Sequence, residues 1–223
     1  VSTEATSLHR AVALATPLLD KDIRRALRIR AACLHADDPA TRIIEELDLG
    51  LGARADLVVL NGRIEGYEIK SDHDSLIRLA HQVQAYEAVC DRVWLVTTER
   101  FAASALERLP PWWGVLVARP RAGSVVLVRR RAARRHGEQR VSALVEMLWR
   151  SELARFCDRH AIGYSRSRST VMSLRALIAE AKISRRRVAD EVREALLLRE
   201  GWRAARPCGS GDAPSQPDAR RSG

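Results

Sequence analysis

The sequence predicts an α/β fold, a mixed β-sheet flanked by helices, with a helical C-terminal extension. Three observations lead there. The run from Arg54 to Lys70 reads as two apolar strands around Asn61-Gly62, the strongest short hairpin signal a sequence offers. A helical pattern then separates this hairpin from the buried strand Arg92 to Thr98, as a crossover between parallel strands requires. From Arg140 onward, apolar residues recur at helical spacing instead. The 223 residues suffice for one good-sized core plus an appendage. The expected organisation is an α/β core over residues 18–130, a basic helical region over 140–202 and a disordered tail over 204–223, where Gly, Ser, Pro and Asp accumulate.

Taken in order, the first dozen residues are expected to be loosely ordered. Leu19, Ile23, Leu27 and Arg30 then follow a helical period and place a first helix that extends towards Cys33. Asp38 is a good N-cap and Pro39 suits the first helical position. They predict a second helix from about Pro39 to Leu47, with Ile43, Ile44 and Leu47 as its apolar contacts and Gly50 and Gly52 as its stop. Strands follow over residues 55–60 and 64–70. A helix is expected from about Ser75 to Cys90, capped by Asp74 or Ser75, with Leu76, Leu79, Val83 and Tyr86 at core spacing. After the strand Arg92 to Thr98 come a helix near Ser104 to Arg108 and strands over Gly114 to Ala118 and Ser124 to Arg129, making five strands in all. In the second half, Leu144, Met147 and Leu148 mark one helix; Leu153 and Phe156 drift off its stripe, to meet a different neighbour or to lie beyond a bend. Two more are expected over about Met172 to Ala181 and Ser184 to Leu198, after a flexible basic link from Ile162 to Thr170.

No run of about eighteen apolar residues is present to cross a membrane. The apolar run Ala11 to Leu19 lacks a basic lead and meets Asp20, Lys21 and Asp22 at once, which makes it a poor signal peptide. Cys33, Cys90, Cys157 and Cys208 are too widely separated for paired metal ligation and are expected to be free thiols. The expectation is a cytoplasmic protein. The net charge of +10 is unevenly spread: residues 1–120 carry 15 Lys and Arg against 17 Asp and Glu, whereas residues 121–223 carry 23 against 11. A field of that sign draws a polyanion. Arginine dominates, however, and 35 arginines among 38 basic residues equally suit solvated faces in a GC-rich coding sequence.

The hairpin carries the chemistry. Asp56 leads one strand, and Glu68 and Lys70 end the next. Because side chains alternate along a strand, the register decides whether the three share a face. A two-residue turn pairs Leu60 with Arg63 and sends Glu68 to the face opposite Asp56. A three-residue or bulged turn pairs Leu60 with Ile64, sets Asp56 opposite Glu68 and brings Lys70 to the same side. In that register, two carboxylates hold a divalent cation, with the backbone carbonyl of Ile69 completing the protein share, and Lys70 orients the attacking water or stabilises the charged phosphate. The cation expected is Mg2+, with Mn2+ as substitute and one ion or two.

These residues carry a resemblance. Asp56, Glu68-Ile69-Lys70 and Gln82-Val83-Gln84-Ala85-Tyr86 resemble the PD-(D/E)XK nuclease superfamily, in particular its RecB-like branch with a glutamine and tyrosine motif. Gly66-Tyr67-Glu68-Ile69-Lys70-Ser71-Asp72, followed by Asp91-Arg92-Val93 and Pro111-Trp112-Trp113-Gly114, is similar to a family of uncharacterised bacterial proteins assigned to that superfamily. The resemblance covers roughly Asp20 to Val128 closely, and the helical half in outline. It implies a restriction-endonuclease-like core in which Asp56 and Glu68 are metal ligands and Lys70 is catalytic. Glu46, placed on the expected second helix, matches an acidic residue that joins the metal shell. Gln82 and Tyr86 match the motif helix, and their four-residue spacing puts both on one face. The proline that usually precedes the aspartate is absent; Ala55 stands there.

Each residue also has a plainer reading. Asp56 can simply start a strand, Glu68 and Lys70 can form a surface pair, Glu46 can solvate a helix end, and Gln82 and Tyr86 can pack in the core. Asp72 and Asp74 read better as helix-start acids than as ligands. Trp112 and Trp113 suit either the cover of a sheet edge or the stacking of bases. His73 and His81 have no partner pattern. Arg129, Arg130, Arg131, Arg134, Arg135 and His136, then Arg166 and Arg168, then Arg185, Arg186 and Arg187, are the expected contacts to a DNA backbone, without a recognisable sequence-reading module.

The expected activity is hydrolysis of DNA phosphodiester bonds in repair, mobile-element biology or defence, with a homodimer or a larger DNA-processing complex among the assemblies to be expected. The alternatives are a catalytically silent nucleic-acid-binding module and an interaction protein with a nuclease fold.

Overall fold

The structure, a computed structural model, describes residues 17–199. The expectations for the first dozen residues, for the tail and for Cys208 lie outside the described residues. The described elements run α1 (Asp20–Leu34), β1 (Arg42–Asp48), β2 (Arg54–Leu60), β3 (Ile64–Lys70), α2 (Leu79–Val89), β4 (Arg92–Thr98), α3 (Glu99–Arg108), β5 (Gly114–Arg121), β6 (Ser124–Arg131), α4 (Val141–Glu146), α5 (Arg150–Arg159), α6 (Val171–Glu180) and α7 (Arg185–Leu198). The six strands form one mixed sheet in sequence order. β1, β2 and β3 are an antiparallel meander, β4 and β5 add in parallel, and β6 closes the far edge antiparallel to β5.

The expected α/β architecture is therefore the observed one, with helices on both faces and a helical C-terminal extension. On one face α1 lays Ile23, Leu27 and Ala31 onto Leu57, Val59, Tyr67, Ile69, Val96 and Leu116. On the other, α2 and α3 pack on the sheet, and the C-terminal helices join the same buried cluster through Leu144, Phe156, Ile178 and Val192. All seven positions of β3 are buried, as befits a central strand covered on both sides. Among the described residues, no helix is long and apolar enough to cross a membrane. Cys33 is exposed, Cys90 and Cys157 are buried, and all three are free.

Three expectations need correction. The second helix is absent, and its residues form strand β1, which makes six strands rather than five. Asp38 does cap, but it caps a turn: its carboxylate accepts from the Ala40 N–H at 3.0 Å and from the Thr41 hydroxyl at 2.8 Å. β1 then gives β2 a partner for its outer edge. Glu46 takes a left-handed φ of 57° in mid-strand. That kink reverses the alternation, so Ile44 and Leu47, three residues apart, both enter the same core, as they would on a helix.

The motif helix α2 starts at Leu79 rather than Ser75, because Asp74 is spent on the preceding turn, accepting from the Ser71 N–H at 2.7 Å and its hydroxyl at 2.6 Å. Helix α3 begins earlier than expected, at Glu99, directly after β4. The bend offered before Leu153 and Phe156 is observed, and the helical run after Arg140 is two helices, α4 and α5. The chain turns at Met147 to Trp149, and Glu152 accepts from the Trp149 N–H at 2.8 Å to start α5.

Candidate active site

The β2–β3 hairpin has the three-residue turn, Asn61 to Arg63, that the site requires. Leu60 pairs with Ile64 and Leu57 with Tyr67, a register that sets Asp56 opposite Glu68. The backbone ladder stops at Leu57. Beyond it the Asp56 carboxylate replaces the missing backbone acceptor, taking the Ile69 N–H on Oδ2 at 2.7 Å. The strands open there, beside the kink at Glu46, into a cleft of about 690 Å³ lined by Glu46, Asp56, Glu68, Ile69, Lys70 and Gln82 among others.

Glu68 is the hub. Only 2% exposed, it receives Lys70 Nζ on Oε1 at 2.5 Å, the Gln82 side-chain amide on the same oxygen, and the Tyr86 hydroxyl on Oε2 at 2.9 Å. The four-residue spacing of Gln82 and Tyr86 on α2 aims both at this carboxylate. Gly66 lets the tyrosine approach: a Cβ there would stand 2.8 Å from two Tyr86 ring carbons and 2.9 Å from Cys90 Sγ. Burial, and next the charge of Asp56, raise the Glu68 pKa against the opposing pull of Lys70 and the Tyr86 hydroxyl. Asp56 is raised too, chiefly by burial, although the Ile69 N–H and Arg24 oppose it. Burial beside these carboxylates pushes the Tyr86 phenol well up, so it stays a neutral donor.

Sequence reasoning missed Arg24. Its guanidinium, reaching in from α1, donates through Nη2 to Asp56 Oδ1 at 2.9 Å and through Nη1 to the Asp56 carbonyl at 2.8 Å. It also pairs with Glu46 at 3.1 Å and with Asp20 at 3.0 Å. Burial works against its charge, but Asp20 and Asp56 together raise its pKa. The available signal was the Asp20–Arg24 spacing of four on a helix.

Glu46 lines the cleft from strand β1, not from a helix, and Arg24 and Arg54 hold its two oxygens. Among the described residues, no group of three or more His, Cys, Asp and Glu side chains is placed to hold a metal ion. The donor chemistry nevertheless fits Mg2+, which binds through one or two carboxylates and fills its shell with neutral oxygens and water. Asp56 and Glu68 supply the carboxylates. The buried Gln82 Oε1 has no hydrogen-bond partner and is the kind of neutral oxygen such an ion takes.

The arginines expected on DNA do not line this cleft. Arg131 instead donates to the carbonyls of Trp113, Pro110 and Leu106, which fixes the loop before β5. Arg130 pairs with Glu99, Arg166 with Asp158 and Arg187 with Glu191. Arg129, Arg134 and Arg168 are exposed. Arg135, Arg185 and Arg186 line a different pocket. Trp113 is fully buried against Tyr86, and Trp112 stacks on His136 with centroids 4.0 Å apart. Asp72 accepts from the Leu18 N–H at 2.8 Å and from the Thr98 hydroxyl at 2.6 Å, a structural role.

The family described as Bacteriophage P4 protein cII matches residues 31–200, well over half of the chain, and the chain belongs to that family. Protein cII of Enterobacteria phage P4 is 35% identical over 77 residues, which are 34% of this chain and 29% of that relative. The chain thus spans under a third of that relative's length. Among solved structures, the SPO1766 protein of unknown function from Silicibacter pomeroyi is similar at 23% identity and a TM-score of 0.37, over 63% of this chain and 95% of that one.

Proposed function

We propose that the protein is a metal-dependent nuclease of the PD-(D/E)XK type, hydrolysing DNA phosphodiester bonds in the Asp56–Glu68–Lys70 cleft. The observation that carries the reading is the hairpin register: it sets Asp56 opposite Glu68, with Lys70, Gln82 and Tyr86 all on Glu68. Asp56, Glu68 and the Gln82 carbonyl oxygen would hold Mg2+ or Mn2+. The ion would acidify a bound water and offset charge on the phosphate. Tyr86 and Gln82 fix the Glu68 carboxylate by hydrogen bonds. Arg24 neutralises Asp56 until a cation takes its place, and the Ile69 N–H ties that carboxylate to β3. Lys70 supplies a positive charge beside Glu68 for a phosphate oxygen or the attacking water. The kinship with a phage protein supports a role in mobile-element biology, among the expected settings of repair and defence.

A second reading has its own observation. Arg24 and Lys70 already neutralise Asp56 and Glu68, so the fold is complete without a metal, as a silent nucleic-acid-binding module would be. The experiment incubates the protein with linear, circular and single-stranded DNA in Mg2+, Mn2+ or EDTA, alongside Asp56→Asn. Metal-dependent cleavage lost in the variant is expected. DNA binding without cleavage in either metal would leave the silent module.

A further inference from the structure

At the other end of the sheet lies a cavity of about 490 Å³ whose walls are dominated by arginine. Gly62 and Arg63 of the β2–β3 turn and Arg92 at the start of β4 form its sheet side. Arg135, from the segment after β6, and Arg185, Arg186 and Arg193 of α7 form the other side. The turn and Lys70 stand at opposite ends of β3, a strand that spans roughly 20 Å. This cavity is therefore separate from the acidic cleft.

Its charge is not balanced from within. Both acids on its wall, Asp91 and Asp190, are engaged by Arg193, and Asp91 also accepts the Ile64 N–H at 2.8 Å. Arg63 pairs with Glu65 at 3.0 Å. Arg92, Arg135, Arg185 and Arg186 have no ion pair or side-chain hydrogen bond among the described residues. The crowding is felt at Arg193: burial lowers its pKa, and the charges of Arg135 and Arg186 lower it further against the pull of Asp91. Four unneutralised guanidinium groups converging from three parts of the chain are stabilised by an anion with several charged oxygens. The lining includes no aromatic ring, and its non-arginine wall is Gly62, Gly137, Gln139 and Ala189 besides the two acids. A nucleobase has no aromatic stacking partner there.

We infer that this cavity is a phosphate-anchoring exosite, which grips consecutive phosphates of a nucleic-acid backbone at the end of the sheet away from the acidic cleft. The choice of nucleic acid over a free oligophosphate rests on the reading of that cleft as a nuclease. Gripping through phosphates alone gives little sequence preference and a steep salt dependence.

The test measures binding of a fluorescein-labelled DNA duplex by anisotropy, in EDTA so that no cleavage occurs, across a salt series. The full chain is compared with Arg135→Ser/Arg185→Ser/Arg186→Ser and with Arg25→Ser/Arg108→Ser/Arg121→Ser, which removes the same charge from exposed positions elsewhere. The pocket variant is expected to lose about 100-fold in affinity at low salt. Its log–log salt slope should fall by about 2.7, three phosphates at about 0.9 each. The control should change by less than about threefold, and tripolyphosphate should displace DNA from the wild type. Equal losses in both variants, or wild-type binding by the pocket variant, would overturn the exosite. Tripolyphosphate binding that depends on the three arginines while DNA binding does not would overturn the choice of nucleic acid. Absence of cleavage in Mg2+ with the arginine dependence intact would sink the nuclease reading and leave the exosite standing.

Discussion

Arg24 Nη2 lies 2.9 Å from Asp56 Oδ1, so a guanidinium from α1 occupies the carboxylate expected to bind a cation. The side chains are 18% and 21% exposed, enough burial for the pair to matter. Arg24→Gln should cost about 1–3 kcal/mol of stability, read by urea denaturation. It should also tighten Mn2+ binding by about tenfold, equivalent to about 1.4 kcal/mol, read by calorimetry. Weaker Mn2+ binding in the variant would show that Arg24 organises the site rather than competing for it.

Lys70 and Glu68 form a pair whose side chains are 6% and 3% exposed. Lys70→Met leaves the Glu68 carboxylate buried without its cation and should cost about 3–5 kcal/mol. The double variant Glu68→Gln/Lys70→Met should recover most of that loss, because a neutral amide can keep the Tyr86 and Gln82 contacts. Additive losses in a double-mutant cycle would mean that the two charges do not depend on one another.

The raised pKa values of Asp56 and Glu68 fix the sign of a pH effect. A folded state that holds protons more tightly than the unfolded chain gains stability as pH falls, and loses it as pH rises through the folded values. Asn resembles the protonated aspartate. The stability of Asp56→Asn relative to wild type should therefore increase with pH above the ordinary carboxylate range. Thermal melts across a pH series measure this, and a difference that shrinks with pH would contradict the direction.

Gly66 ties packing to the site. Gly66→Ala puts a methyl into Tyr86 and Cys90, which should cost about 3 kcal/mol and displace the tyrosine hydroxyl from Glu68. Loss of cleavage together with the lower melting point is expected; full activity would detach Tyr86 from the mechanism.

Much of this was legible in the chain. Asn61-Gly62 between apolar strands gave the hairpin, and the need for Asp56 and Glu68 to meet selected the odd turn that Leu60 and Ile64 adopt. β1 was not legible, for a physical reason. Asp38-Pro39 has the chemistry of a helix start, and the kink at Glu46 gives Ile44 and Leu47 a three-residue spacing on one core face. Pairing with β2 won over local preference. Arg24 was hidden because its partners, Glu46 and Asp56, come from strands that only the packing of α1 across the sheet brings near. Within the arginine runs, Arg131 serves backbone carbonyls, a role that its neighbours in sequence do not announce.

The most direct measurement is the single-turnover rate of DNA cleavage in Mg2+ by the wild type and by Lys70→Met, with the stabilised Glu68→Gln/Lys70→Met variant alongside. A fall of about 10³-fold or more in both variants, with folded protein confirmed by circular dichroism, is the predicted result. Cleavage that persists at the wild-type rate in either variant would contradict the assignment of hydrolysis to this cleft.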